Sequence, residues 1–347
     1  MRRVSKIAAA SVATAALAFT ATACGESSTG SSSSSEGGKL KVGMAYDVGG
    51  RGDNSFNDSA ARGLDKAKKE LGAETKELTA KASETPADRE ARLASLAEGG
   101  YNPVVAVGFA YKDAVDKVAK KHPKVTFGLV DSISDAKNVN NIVFTEEQGS
   151  YLAGVAAALK SKSGEVGFIG AVDTPLIKKF AAGFQQGVME TKPSAKVQIQ
   201  YLGTGSDITG FGSPDKGKQA AKGMLDKGMD VIYTAAGGSG AGAIEAVSGK
   251  KGAWAIGVDS DQALDPSLSK YKASILTSVV KNVDTGVFEL AKSVKDGKPR
   301  TGTKTFSLAE NGVTLTTTGD HIKDIQAKLD EAKAKIVAGT IKVKSTL

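Results

Sequence analysis

Nine short apolar runs punctuate the chain, at residues 40–45, 104–107, 126–130, 142–144, 166–169, 197–202, 231–234, 253–258 and 274–280. Each has the length and composition of a buried strand. Helical patterns lie between most of them. Ala60, Leu64, Ala67 and Leu71 recur at spacings of four, three and four, which lays one apolar stripe along a helix. Thr85-Pro86-Ala87-Asp88 supplies an N-cap, a proline at the first helical position and an acid in the first turn. Thr174-Pro175 repeats that start signal before Ile177, Phe180, Phe184 and Val188. Alternation of strand and helix predicts parallel sheets with helices on both faces, and the strands are too many for one compact sheet. The pattern therefore predicts an α/β body of two lobes, one covering residues 39–145 and the other starting at residue 146.

Ahead of this body the pattern changes. Arg2, Arg3 and Lys6 form a basic head, and an Ala-rich apolar run from residue 7 to 21 ends in Ala21-Thr22-Ala23-Cys24. This is the layout of a secretory signal. The run is shorter than the ~20 apolar residues that span a bilayer. Cleavage after residue 23 would leave Cys24, the only cysteine, as the first residue, in a setting that resembles a bacterial lipobox with Ala21 in place of the usual Leu. The sequence thus predicts a signal peptide over residues 1–23 and lipid on Cys24. The product would be extracytoplasmic and anchored to the cell membrane. Residues 25–38 are Ser, Gly, Glu and Thr only. They offer nothing to bury and read as a flexible tether.

Charge and composition remove several classes. The formal charge is +8, and three of those charges leave with the signal. No basic block with interleaved aromatics is present, so nucleic-acid binding is not expected. Neither His122 nor His321 has a metal-like partner near it in sequence, and neither a metal nor a cofactor is expected. In a two-lobed α/β body, ligands bind where the carboxyl ends of strands meet a cleft. Tyr46-Asp47-Val48-Gly49-Gly50 and, a few residues on, Ser55-Phe56-Asn57 follow the first run, Gly108-Phe109 the second and Asp131 the third. Ala235-Ala236-Gly237-Gly238, Asp259-Ser260-Asp261-Gln262 and Lys281 follow the last three. Carboxylates, an amide, an amine, bare backbone and aromatic rings suit a flat, polar, uncharged ligand with hydroxyl groups. Asp53 and Asn54 read as turn chemistry, and Asn57 or Asp58 could simply cap the following helix.

Asp47-Val48-Gly49-Gly50 with Asp53, Ser55, Phe56 and Asn57 resembles the opening motif of the basic membrane protein family, whose members include purine nucleoside receptors of ABC uptake systems. The resemblance continues in order through Gln148-Gly149-Ser150-Tyr151, Lys179-Phe180-Ala181-Ala182-Gly183-Phe184, Ala236-Gly237-Gly238-Ser239-Gly240, Ile256-Gly257-Val258-Asp259 and Leu276-Thr277-Ser278-Val279-Val280-Lys281. It implies the type I periplasmic-binding-protein fold, in which two lobes joined by three crossings close on the ligand. A returning segment near 275–305 would complete the first lobe, and residues near 306–347 the second. By the same resemblance, Phe56 and Phe180 sandwich a base, and Asp47, Asn57 and Asp131 surround its edge. Gly237 and Gly238 bring backbone close, and Asp259 pairs with Lys281 on the ribose hydroxyls. Implied partners are a nucleoside, permease and ATPase subunits, and the membrane through the lipid, with the receptor acting as a monomer and not as an enzyme. Two other readings are a sugar or signal-molecule receptor on the same fold and a nicotinamide enzyme. The second rests on Gly238-Ser239-Gly240-Ala241-Gly242-Ala243, which fits G-x-G-x-x-A, with Asp259 downstream.

Overall fold

A computed structural model describes residues 39–347, apart from 82 and 206. The signal segment, Cys24 and the tether lie outside these described residues. The chain runs β1 (Lys41–Tyr46), α1 (Phe56–Leu71), β2 (Glu74–Thr79), α2 (Pro86–Glu98), β3 (Val104–Ala106), α3 (Lys112–Lys121), β4 (Phe127–Val130) and β5 (Val139–Phe144). It continues through α4 (Glu146–Lys160), β6 (Glu165–Asp173), α5 (Pro175–Thr191), β7 (Lys196–Thr204), α6 (Pro214–Asp226), β8 (Val231–Ala235), α7 (Ser239–Ser248), β9 (Trp254–Asp259) and β10 (Ile275–Lys281). It ends with α8 (Val283–Lys295), β11 (Gly302–Phe306), β12 (Val313–Leu315) and α9 (Gln326–Val337).

Two six-stranded sheets result, ordered β11-β5-β4-β3-β1-β2 and β12-β10-β9-β8-β6-β7. Every pairing is parallel except β10 with β12. Central strands carry apolar residues on both faces because helices cover both. In β1, Val42, Met44, Ala45 and Tyr46 are all fully buried. β10 pairs in the second sheet, and the chain returns to the first lobe only after it: α8 packs on α1, and β11 adds to β5. The segment near 275–305 is therefore split between the lobes at about Lys281. The chain passes between the lobes after β5, after β10 and after β11, and the strands are stitched there. Thr145 N–H donates to Phe306 O at 3.2 Å, and Asn282 N–H donates to Gly312 O at 2.9 Å.

Helix starts follow local chemistry. Thr85 and Asp88 form a reciprocal capping box on α2, and the Thr174 hydroxyl accepts from Ile177 N–H at 3.4 Å on α5. The first turn of α4 is pressed onto α5 at glycine. A Cβ on Gly183 would collide with the carbonyl of Glu147, and one on Gly187 with that of Tyr151. Gly183→Ala should therefore force the two helices apart and lower stability by about 1–3 kcal/mol. Urea unfolding checks this, and an unchanged midpoint would contradict the contact.

Candidate functional site

The C-terminal ends of both sets of strands face one another across a cleft lined from both lobes. The first-lobe wall is built by the β1–α1 loop. Asp47 Oδ1 accepts from Val48 N–H at 2.8 Å, and its Oδ2 receives no hydrogen bond among the described residues. Asp53 caps α1 from outside the helix, accepting from the N–H groups of Ser55 and Asn57 at 2.9 Å and of Asp58 at 3.1 Å. These donors are the orphan amides of a helix start, and the carboxylate meets the positive end of the helix dipole.

Asp131 follows β4 and Asp259 ends β9, with φ of 65° and 63°. Left-handed backbone is uncommon away from glycine but tolerated by Asp. Each lobe uses this turn to aim one buried carboxylate into the cleft. Asp131 Oδ2 takes the Lys281 ammonium at 2.5 Å, while its Oδ1 is buried without a partner among the described residues. Lys281 Nζ also lies 3.0 Å from Glu146 Oε1, and the three side chains are 1–3% exposed. The rings of Phe56, Phe144 and Phe180 stand 5.1, 5.1 and 5.7 Å from the same ammonium. Burial alone would depress the Lys281 pKa. The charges of Asp131, Glu146 and Asp259 outweigh that and hold it above its ordinary value.

The lobes meet along two rims. On one, the Ser55 hydroxyl donates to Asp259 Oδ2 at 2.7 Å, Ser260 donates to Ser55 O at 2.7 Å, and Gln262 donates to Asn54 O at 2.9 Å. On the other, Val48 and Ala80 of the first lobe bury Ile208 of the second, beside Phe109 and Phe211 with ring centroids 6.3 Å apart. The cleft is shut in this structure.

Burial raises four cleft carboxyls above the usual range, Asp47 and Asp53 to about 6, Asp259 to about 7, and Asp131 as well despite its Lys281 partner. The folded protein therefore keeps protons that the unfolded chain releases near pH 4. Their stabilising contribution is complete below that pH and is lost as pH rises through 6 to 7. Surface carboxylates such as Asp88, Asp207 and Asp324 lie below the usual range and stay ionised from pH 5 upward. The empty protein should melt several degrees higher at pH 5 than at pH 7.5. Calorimetry at both values in one salt concentration checks this, and a lower melting temperature at pH 5 would refute it.

A family model described as ABC transporter substrate-binding protein, PnrA-like, matches residues 39–346. The chain belongs to this Bmp family. It is thus a substrate-binding component of an ABC transporter and not an enzyme. Among Bmp-type relatives, a CD4+ T-cell-stimulating antigen of Listeria monocytogenes is 40% identical, covering 87% of each chain. An ABC transporter nucleoside-binding protein of Lactococcus lactis is 37% identical over 88% of this chain and 89% of its own. An ABC transporter solute-binding protein from Aeropyrum pernix superposes with a TM-score of 0.76 at 28% identity, covering 88% and 93% of the two chains. An uncharacterized lipoprotein of Pyrococcus abyssi is 36% identical over 80% of this chain and 69% of its own. Among the described residues no helix is long and apolar enough to cross a membrane.

Against the Bmp motif, the structure gathers Asp47, Phe56, Asn57, Asp131, Phe180, Gly237, Asp259 and Lys281 around one cleft. Gly238 sits just behind Gly237 as the residue before α7. Three details differ from the expectation. The Asn57 amide is held inside its own loop, by Asp47 N–H, Val48 O and Asp53 Oδ2. Lys281 is paired with Asp131 and Glu146 rather than with Asp259, which takes Ser55 instead. The reason is register: Asp259 lies opposite Val280, so Asp259 and Lys281 leave the sheet at different levels. Asp131 is therefore engaged by an ammonium rather than standing free. Sequence reasoning passed over Asp53, Glu146 and Phe211. Asp53 resembled turn chemistry, which it also performs, and Glu146 entered the sequence reading only as the start of the second lobe. Phe211 lies in a Gly-rich loop without periodicity. Within residues 238–243, Gly242 serves helix packing, since a Cβ there would strike the Pro214 carbonyl of α6.

Proposed function

We propose that this receptor captures a purine nucleoside between its lobes for delivery to a membrane permease, while held to the membrane by lipid on Cys24. The observation that carries the reading is the pairing of aromatic faces with acceptors in one cleft. Phe56 and Phe180 line it from opposite lobes, beside Asp47 Oδ2 and the partnerless Asp131 Oδ1. A nucleoside offers what these groups lack: a π surface, N–H donors and sugar hydroxyls. Base–aromatic stacking is worth about 1–3 kcal/mol per base. The relative named as nucleoside-binding supports the same class. Asp47, Asp53, Asp131 and Asp259 outnumber the one lining ammonium, Lys281, so a phosphate would meet like charge in a dry site.

Calorimetry with adenosine, guanosine, inosine, ribose and adenosine monophosphate tests this, together with mass spectrometry of ligand carried through purification. A nucleoside should bind at least about 100-fold more tightly than the monophosphate, a difference of ~3 kcal/mol. Tight binding of ribose alone would favour a sugar receptor and overturn the proposal. For the anchor, Cys24→Ser should move the protein from the membrane fraction to the soluble one. A variant that stays with the membrane would defeat the lipid assignment.

A further inference from the structure

Lys281 has two carboxylate partners of different kinds. Asp131 follows β4 and belongs to the first lobe, whereas Glu146 opens α4. The first turn of α4 is locked to α5 of the second lobe, where Gly183 lets the Glu147 main chain approach. Glu146 therefore travels with β10 and Lys281, and Asp131 leaves them when the lobes part. On the second-lobe side, Lys281 and Lys179 face Glu146 and Asp259, and Lys179 Nζ lies 3.3 Å from Glu146 Oε2. Those charges cancel. The first-lobe wall opposite carries Asp47, Asp53 and Asp131. Without Glu146 the second-lobe group would be net positive and would attract that wall across a poorly hydrated gap. An empty receptor would then close with nothing inside.

We propose that Glu146 is the stationary counter-ion of Lys281, a positioning residue that holds the ammonium in place when the cleft opens and stops the empty lobes from closing on the Lys281–Asp131 pair. Glu146 does not line the cleft, so it acts through Lys281. The consequence is a closing equilibrium left for the ligand to tip, because a ligand shifts populations only by its differential affinity for the two states.

The test measures lobe separation without any ligand, and so does not depend on the nucleoside assignment. Spin labels on Lys112→Cys and Lys216→Cys of the full chain in detergent report the distance between α3 and α6 across the cleft. Glu146→Gln should shift the empty protein toward the short distance, raising the closed fraction severalfold. Adding Lys281→Met should abolish the shift. Glu146→Asp withdraws the carboxylate by one methylene and should give a smaller shift of the same sign, which keeps the question decidable if the Gln variant does not accumulate. A merely structural Glu146 would broaden or lengthen the distribution on substitution. That result, or an unchanged distribution in both variants, overturns the proposal.

Discussion

Lys281→Met should destabilise the protein by about 3–5 kcal/mol, the usual result of removing one partner from a buried ion pair. The ammonium is 2% exposed, and the carboxylates of Asp131 and Glu146 are 3% and 1% exposed. Methionine fills the volume and keeps contact with the Phe56, Phe144 and Phe180 rings, so packing is nearly preserved while the charge is lost. Two carboxylates would then remain buried, with Lys179 alone to compensate Glu146. Adding Asp131→Asn should restore part of the loss, because the groups interact directly and their effects are not additive. Urea unfolding of the single and double variants measures both terms. A loss below about 1 kcal/mol for Lys281→Met would show that water or proton uptake already solvates the cluster.

The second large effect separates the halves of the proposed ligand. Phe56→Ala and Phe180→Ala should each remove about 1–3 kcal/mol of stacking, or about 5- to 150-fold in affinity. The loss should be alike for a nucleoside and for its free base, since both present the same ring. Asp259→Ala should weaken nucleoside binding by about 1.5–3 kcal/mol, the scale of hydrogen bonds to a charged group, beyond the loss it shares with the free base. Asp259 Oδ2 already accepts from Ser55 across the seam, so the variant also loosens one rim of the closed cleft. Ser55→Ala serves as the control for that rim, and it should cost both ligands equally. Equal losses for nucleoside and base in Asp259→Ala would remove the ribose assignment.

The strands that sequence periodicity missed are instructive. β2 reads Glu-Thr-Lys-Glu-Leu-Thr and is largely exposed at the edge of its sheet. β11, also mostly exposed, and the three-residue β12 close the opposite edges. These three edge strands bury little and need no apolar run, so their composition does not announce them, whereas the fourth edge, β7, does carry one. Central strands, buried on both faces, all carry an apolar run, although β5 also buries Asn140 and Asn141, whose amides are hydrogen-bonded.

Local sequence determined the central strands, the capped starts of α2 and α5, and the placement of Asp47, Asp131, Asp259 and Lys281 at or just beyond strand ends. These depend on neighbours within a few residues, through periodicity, capping and the tolerance of Asp for left-handed backbone. Tertiary structure alone decided who meets whom. Lys281 and Asp131 are separated by 150 positions in the chain, and Ser55 and Asp259 by 204. Glu146 becomes a partner of Lys281 only because α4 begins where the chain passes from one lobe to the other. Phe180 lies on the same apolar stripe as Ile177 and Phe184, and the pattern cannot separate a core ring from a cleft ring. That distinction comes from the first turns of α5 standing at the cleft edge, where a residue can be buried by its own lobe and still face the other.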